Sequence, residues 1–297
     1  MLVKNNATAI ACASGGFKAV FVHGVLSAFE AENFRPNAYS AASASVVVAA
    51  LANMNKVKEA GIDYWLRGME IYDRTKSMSR VSLAGIDYLI AHSSESFNSF
   101  NSEFFIATSK VITKEAARQT QSKQASRLGK KLLIAAAKGD RDWAERYLRL
   151  NLFSTLRKDS LALNRDNFKE VAYASTRMLH NYDLPAWIDR QAYIDASYTC
   201  SCPALEMVER GYQTVIAIAT EAGKFYRDLF QSAVIPSRYN QVPIHIIQPD
   251  INLKKLGVDF FQATPTGLTA VYQHGLDKGR TFLTQLKRQI EESNHAT

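Results

Sequence analysis

The sequence predicts an α/β fold with a central, mostly parallel sheet flanked by helices. Two observations support this prediction. Within the first 55 residues, a short apolar run leads twice through a turn of small residues into a helical segment, and such strand–turn–helix units build parallel sheets. Farther along the chain, short apolar strand sequences again alternate with helical ones, as in sheets covered on both faces.

The first unit comprises the strand TAIACAS (residues 8–14), a turn at Gly15 and Gly16, and a helix that continues to residue 32. In the second unit, an extended segment after Pro36 passes through YSAAS into a helix that begins with SVVVAAL. Periodicity and turn residues predict the later elements. These are strands at 102–112, 190–194, 213–220 and 242–250, and helices at 139–153, 170–179, 203–211 and 266–294.

Length and composition are those of a globular protein, with 297 residues of which 47% are hydrophobic. We expect one domain over residues 1–297, with a basic helical insertion at residues 110–165. No apolar run is long enough to cross a bilayer. The N-terminal segment is interpreted as a first strand rather than a signal peptide. Cytoplasmic localisation, with possible peripheral attachment to a membrane, is therefore expected.

Cysteine and histidine positions give no support to a disulfide framework or a metal centre. Cys12, Cys200 and Cys202 are odd in number, which favours a reducing compartment. The six histidines form no metal-binding spacing. No metal or organic cofactor is predicted.

Positive charge is concentrated in one segment. Residues 110–158 contain thirteen Lys and Arg against four acidic residues, whereas the whole chain carries a net charge of +8. Such a segment suits an anionic partner, which can be an anionic membrane surface, nucleic acid or an acidic protein. A set of solvated helices is the alternative. Nucleic acid ranks last among these partners because no recognition motif accompanies the charge.

The first turn, Ser14-Gly15-Gly16-Phe17-Lys18, is a candidate anion-binding site. Unpaired backbone N–H groups at a helix N-terminus can bind a phosphate or an oxyanion, and Lys18 would add positive charge. A simple turn in which the glycines permit positive φ is the alternative.

The second turn, within YSAASASVVVAAL (residues 39–51), is a candidate nucleophile elbow. Ser43 follows the strand and precedes the helix, as an elbow serine does, and its neighbours Ala41 and Ser45 are small. Ser40 falls too early in the strand and Ser45 inside the helix. Packing of small residues between helix and sheet is the alternative for this stretch.

The third turn contains Asp195, which follows the strand AYI and precedes Ala196 and Ser197. A carboxylate at such a turn can act as the general base for a serine. An ordinary aspartate turn is the alternative.

Taken in order, these turns resemble the patatin-like phospholipase family, whose patterns are G-G-G-x-[RK]-G, then G-x-S-x-G, then D-G-[GA]. The corresponding stretches here are SGGFKA (14–19), AASAS (41–45), which has Ala and Ser at the glycine positions, and DAS (195–197). GVLSAFE (24–30) and TVIAIAT (214–220) also resemble conserved flanks of that family.

The resemblance implies a three-layer α/β lipid acyl hydrolase with a Ser43–Asp195 catalytic dyad and no cofactor. Gly15, Gly16 and Phe17 would supply oxyanion-hole amides, with Lys18 at the family's cationic position. Phospholipids or other acyl esters would be the substrates.

Several family glycines are replaced, namely by Ser14, Ala19, Ala41, Ser45, Ala196 and Ser197. A Cβ in a left-handed conformation would cost about 1 kcal/mol at each such position. The alternative function is therefore a catalytically impaired protein of the same fold that binds lipid, membrane or a protein partner.

Overall fold

A computed structural model describes residues 7–92 and 100–295. The chain forms a mixed α/β fold in which a large, mostly parallel sheet is flanked by helices. This confirms the predicted fold class.

Nine strands occur in the described residues. They are β1 (Thr8–Cys12), β2 (Ala38–Ala41), β3 (Glu103–Val111), β4 (Leu148–Ser154), β5 (Trp187–Ile188), β6 (Gln191–Ile194), β7 (Thr214–Ile218), β8 (Arg238–Tyr239) and β9 (Val242–Ile247).

Eleven α-helices occur in the same residues. They are α1 (Val20–Ala31), α2 (Ser45–Asn53), α3 (Val57–Ala60), α4 (Asp63–Thr75), α5 (Met78–His92), α6 (Lys114–Thr120), α7 (Ala125–Ala137), α8 (Asp142–Tyr147), α9 (Phe168–Thr176), α10 (Ala204–Glu209) and α11 (Pro265–His295). Short 3-10 helices lie at Gly16–Ala19, Ala196–Tyr198 and Leu253–Leu256.

The centre of the sheet is parallel, with strand order β3-β2-β1-β7-β9. Antiparallel strands extend it: β8 pairs with β9, β4 and β6 pair with β3, and β5 pairs with β6. The sheet therefore keeps the carboxyl ends of β1, β2 and β7 at one edge, where ligands of open α/β folds bind.

Strand β3 is longer than β2 and pairs with two partners along the same side. β2 runs parallel to β3 and ends with Ala41 opposite Ile106. β6 runs antiparallel to β3 and ends with Ile194 opposite Ser109, while β4 occupies the other side. The carboxyl ends of β2 and β6 therefore approach each other along β3.

Successive strand residues enter two different cores because side chains alternate across a sheet. Ile10 and Cys12 pack with helices α1, α2 and α9. Ala9 and Ala11 pack on the opposite face with residues of α10. These two apolar layers hold helices against both faces of the sheet.

The basic segment is helical only in part. Helices α6 to α8 lie within residues 110–165, and the predicted helix at 139–153 is wrong beyond Tyr147. From Leu148 the chain forms β4, because Leu148, Leu152 and Phe153 are buried against β3 as a strand of the central sheet. Within the described residues, no helix combines the length and apolarity needed to cross a bilayer.

Candidate active site

Ser43 lies on a sharp turn between β2 and α2. Its φ of 54° is left-handed, which is uncommon for a residue with a side chain. The turn is closed on both sides, since Ala42 N–H donates to Cys12 O at 3.1 Å and Val46 N–H donates to Ser43 O at 3.0 Å. This backbone geometry is that of a nucleophile elbow, and we call residues 41–45 the serine elbow.

The Ser43 hydroxyl donates a hydrogen bond of 2.7 Å to Oδ2 of Asp195. The other carboxylate oxygen, Oδ1, accepts from Ser197 N at 2.8 Å and from the Ser197 hydroxyl. The structure thus brings together the two residues that the sequence predicted as a dyad, and Ser197 fixes the orientation of the carboxylate.

The sheet explains why residues so distant in sequence meet. Ser43 follows β2 and Asp195 follows β6, and the ends of these strands approach each other along β3. Ser109 of β3 donates its hydroxyl to Asp195 O at 2.8 Å, and Asp195 N–H donates to Arg177 O at 3.0 Å. The backbone of Asp195 is therefore anchored on both sides.

Burial raises the pKa of the Asp195 carboxyl and makes its carboxylate more basic. Its side chain is fully buried, and desolvation raises its pKa to about 6, although hydrogen bonds from Ser197 and Ser43 act in the opposite direction. A carboxylate with a raised pKa accepts a proton more readily than an exposed one. This residue can therefore act as a base near neutral pH.

The neighbouring serines point elsewhere. The Ser40 hydroxyl donates to Ile10 O at 3.3 Å, and the Ser45 hydroxyl donates to Ala13 O at 2.6 Å. Both hydroxyls bond the backbone of β1 or the residue that follows it. Ser43 is thus the elbow serine that meets a carboxylate.

The glycine turn (residues 14–18) lies beside the serine elbow, and Gly15 and Gly16 line the same cleft as Ser43. Gly16 has φ +54°, and a Cβ at this position would lie 2.1 Å from Phe260 O. In the described part of the chain, neither the Gly15 nor the Gly16 N–H donates to a protein acceptor. Both amides are available to an oxyanion.

Two of the predicted oxyanion-site residues serve other purposes. The Phe17 amide donates to Phe260 O at 3.0 Å and the Lys18 amide donates to Gly15 O at 3.0 Å, so the prediction of Phe17 as an oxyanion donor is wrong. The buried Lys18 ammonium lies 2.9 Å from Glu221 Oε1 and 3.4 Å from Asp259 Oδ1. These two carboxylates offset the charge of Lys18, and the ion pairs connect the glycine turn to Glu221 and Asp259.

A cleft of about 580 Å³ opens above the dyad. Many of its walls are apolar or aromatic. They include Met178, Tyr182, Phe225, Leu229, Phe260 and Phe261. No histidine is among the described residues that line it. Among the described residues, no three His, Cys, Asp or Glu side chains cluster in a way that could hold a metal ion.

The sequence did not point to the residues behind the elbow. Ser175 at the end of α9 accepts the Ser43 N–H at 2.9 Å, and the partners of Asp195 in β3 and at Arg177 were also missed. A buried small-residue helix, AYAST, was the available signal, but only the tertiary structure shows what its serine contacts.

The replaced glycine positions carry no left-handed strain. Every described non-glycine residue with positive φ lies outside the six positions named above, and Ser43 itself is one of those residues. The expected cost of a left-handed Cβ at the replaced positions is therefore wrong. Ala41 and Ser45 are fully buried, so these positions require small size and not positive φ.

Comparison of the chain with protein-family models and with curated proteins finds no match. The chemistry of the site must therefore be inferred from its geometry.

Proposed function

We propose that the chain is a lipid acyl hydrolase of patatin type that cleaves carboxylic esters with the Ser43–Asp195 dyad. The observation that carries this proposal is the 2.7 Å hydrogen bond from Ser43 Oγ to Asp195 Oδ2 at a left-handed elbow. Serine activated by an adjacent base is the arrangement that nucleophilic catalysis requires.

In the acylation step, Ser43 Oγ attacks the ester carbonyl carbon while its proton passes to Asp195 Oδ2. The negative charge that develops on the carbonyl oxygen accepts hydrogen bonds from the Gly15 and Gly16 amides. The ester C–O bond then breaks, and the leaving alcohol takes the proton from Asp195.

In the deacylation step, a water molecule attacks the acyl carbon and gives its proton to Asp195. The bond between the acyl carbon and Ser43 Oγ breaks, Ser43 recovers the proton, and the carboxylic acid leaves. Ser197 holds the carboxylate in one orientation through both steps. These steps need no metal or organic cofactor.

The walls of the cleft support a lipid substrate. Phe225, Phe260 and Phe261 surround a site with few charged groups, among them Lys224 and Glu221. Apolar pockets with a few placed polar groups favour ligands that carry hydrocarbon. Phospholipids, lysophospholipids and simple acyl esters are the substrate classes that this chemistry covers.

The test is hydrolysis of p-nitrophenyl butyrate and a lysophospholipid by the wild type and by variants. Ser43→Ala removes the nucleophile and Asp195→Asn removes the base, so each should lower kcat/KM by about 10³-fold or more. Wild-type turnover no faster than that of Ser43→Ala would exclude the hydrolase and favour the non-catalytic lipid- or partner-binding alternative.

Ser45→Ala is the matched control because it removes a hydroxyl two residues from the nucleophile. That hydroxyl donates to Ala13 O and not to the dyad. Its loss should cost about 1 kcal/mol of stability and leave kcat/KM within about twofold. A loss equal to that of Ser43→Ala would move the nucleophile to Ser45.

Activity should depend on the ionisation of Asp195. The base must be deprotonated, and burial raises its pKa to about 6. We therefore expect kcat/KM to rise about tenfold per pH unit below that value and to level off above it. A pH–rate profile that is flat between pH 5 and 8 would contradict this assignment.

We also propose that the basic segment (residues 110–158) holds the cleft against anionic membranes. The exposed face of α7 is basic and includes Arg127, Lys130 and Lys131, and the exposed Lys138 follows the helix. The other face of α7 packs closely against His180, which contacts Phe261 of the cleft wall at 5.2 Å between ring centres. The helix that carries the positive face thus packs, through His180, near one wall of the cleft.

Co-sedimentation with phosphatidylserine vesicles tests this membrane contact. Each Lys near an anionic surface contributes about 1 kcal/mol, so the double variant Lys130→Glu/Lys131→Glu should bind at least about tenfold more weakly. Binding should also weaken with salt, whereas Lys58→Glu in α3 is the control outside the segment. Equal binding to neutral vesicles would count against the proposal.

A reducing compartment such as the cytoplasm is part of this proposal. Cys12, Cys200 and Cys202 are free and buried, which supports it.

A further inference from the structure

Two small cavities continue inward from the catalytic cleft. The first, of about 40 Å³, shares Gly16, Thr176 and Tyr182 with the cleft and is also lined by Ala44, which follows Ser43. The second, of about 160 Å³, has four lining residues in common with the first and none in common with the cleft. The three spaces therefore lie in series, and we call the two inner ones the inner passage.

The walls that the two inner cavities share are almost purely apolar. They are Phe17, Tyr64, Trp65 and Val81. Beyond them, the larger cavity lies between α4 and α5, where Gly68, Ile71, Ala84 and Gly85 line it. Arg67, which is exposed, lines the same cavity and marks its outer end. A narrow space between two helices with such walls excludes a polar head group but accepts a hydrocarbon chain.

Three sets of polar groups along the inner passage have hydrogen-bond partners in the protein. Tyr182 Oη and Ser82 Oγ are 2.9 Å apart, and Trp65 Nε1–H donates to His23 Nδ1 at 2.8 Å. The Thr176 hydroxyl donates to Tyr173 O at 2.9 Å. These groups need no hydrogen bond from a ligand, and an apolar occupant leaves none of them unpaired.

Gly68 provides independent evidence that the space is kept open. It lies in the interior of α4, where glycine is less favourable than alanine. A Cβ on Gly68 would meet Val81 Cγ1 at 3.5 Å and Phe17 Cε1 at 3.7 Å, which are ordinary contacts. Packing therefore does not require glycine here, and the atoms that a side chain would approach are walls of the inner passage.

We propose that the inner passage binds the linear acyl chain of the ester substrate and so selects medium-chain or long-chain acyl groups. The proposal rests on the proposed hydrolase function and specifies its substrate. The mouth of the passage lies between Gly16 of the oxyanion site and Ala44 of the elbow. An acyl carbon attacked by Ser43 can therefore extend its chain directly into the passage.

The test compares p-nitrophenyl acetate with p-nitrophenyl octanoate. Gly68→Leu fills the passage and should lower kcat/KM for the octanoate at least about tenfold, while the acetate rate stays within about twofold. Gly68→Ala, whose Cβ has room, should give a smaller loss in the same direction. Glu70→Leu adds the same side chain on the exposed face of α4 and should leave the octanoate-to-acetate ratio unchanged.

A binding measurement separates this proposal from the catalytic one. The Ser43→Ala protein should bind a fluorescent linear fatty acid, and adding Gly68→Leu should weaken that binding at least about tenfold. If neither ester is hydrolysed but this loss occurs, the passage stands and the hydrolase fails. If the acetate is hydrolysed through Ser43 but Gly68→Leu changes neither the ester ratio nor fatty-acid binding, the passage is excluded and the hydrolase stands.

Discussion

The glycine turn and the serine elbow follow neighbouring parallel strands, yet they obey different rules. Gly16 combines φ +54° with a Cβ position 2.1 Å from Phe260 O, so both conformation and space exclude a side chain. In the serine elbow, Ala41 and Ser45 lack positive φ, and the left-handed conformation belongs to Ser43. The first turn requires glycine, whereas the second requires only small residues.

This difference explains which glycines of a G-x-S-x-G elbow can be replaced. Flanking residues there must be small because strand, turn and helix pack closely, and alanine or serine meets that requirement. A position that also has positive φ and faces a backbone oxygen has no substitute. The chain retains glycine at Gly16, where both conditions hold, and has Ala41 and Ser45 at elbow positions where φ is not positive.

Exchanging glycine and alanine between the two turns tests their difference most strongly. Gly16→Ala should lower the free energy of unfolding by about 3 kcal/mol, because a Cβ meets Phe260 O and the left-handed φ is strained. Because the same loop carries the proposed oxyanion amides, ester hydrolysis should fall about 100-fold as well. Urea denaturation and the p-nitrophenyl assay measure the two effects.

Ala41→Gly is the reciprocal variant and the control. It should cost no more than about 1 kcal/mol, through the greater flexibility of glycine in the unfolded chain, and should leave hydrolysis within about twofold. A gain of activity well above twofold in Ala41→Gly would mean that alanine strains the elbow, contrary to the observed backbone.

The buried Asp195 carboxylate has an electrostatic cost that depends on pH. The folded protein keeps a proton on Asp195 up to a pKa of about 6, whereas the unfolded chain releases it near 3.8. Stability of the wild type should therefore fall as the pH rises between these values, by up to about 3 kcal/mol. Asp195→Asn has no such proton to lose.

As the pH rises from 4 to 7, the free energy of unfolding should fall for the wild type and not for Asp195→Asn. The variant should therefore become more stable relative to the wild type. The change with pH is the informative quantity, because any constant effect of the amide on packing cancels. A difference that does not vary with pH would show that the carboxyl has an ordinary pKa.

The smallest expected effect concerns Ser43. Ser43→Gly and Ser43→Ala both remove the hydroxyl and its bond to Asp195, so both should be inactive. They differ by a Cβ at φ 54°, and glycine should be more stable than alanine by about 1 kcal/mol. Thermal unfolding of the two variants compares them directly, and equal stability would indicate a relaxed elbow.

Much of the fold follows from local sequence. Short apolar strands followed by small-residue turns predict a parallel sheet, and carboxyl ends of its strands share one edge. Ser43 follows such a parallel strand, whereas Asp195 follows β6, which is antiparallel to β3. The pairing of the two residues was therefore expected from the family resemblance and not from a shared edge of parallel strands. The smaller size of Ala41 and Ser45 was also visible, although their negative φ was not.

Features that depend on distant contacts could not be predicted. Nothing near Phe17 indicates that Phe260 O accepts its amide proton, and so its oxyanion role was wrongly expected. LRLNLF (148–153) alternates as a strand but follows a helix whose Trp143 and Tyr147 suggested continuation. Its pairing with β3 decided the outcome, because burial in a sheet outweighs local helical propensity.

The convergence of β2 and β6 along β3 means that one strand determines the separation of Ser43 and Asp195. Insertions in the long connections between them, such as α6 to α8, can change without altering that separation. A two-residue slip of β6 on β3, by contrast, would displace Asp195 by about 7 Å. The geometry of the dyad is therefore insensitive to loop length and sensitive to strand register. The strand that most constrains it is β3, which contributes neither Ser43 nor Asp195.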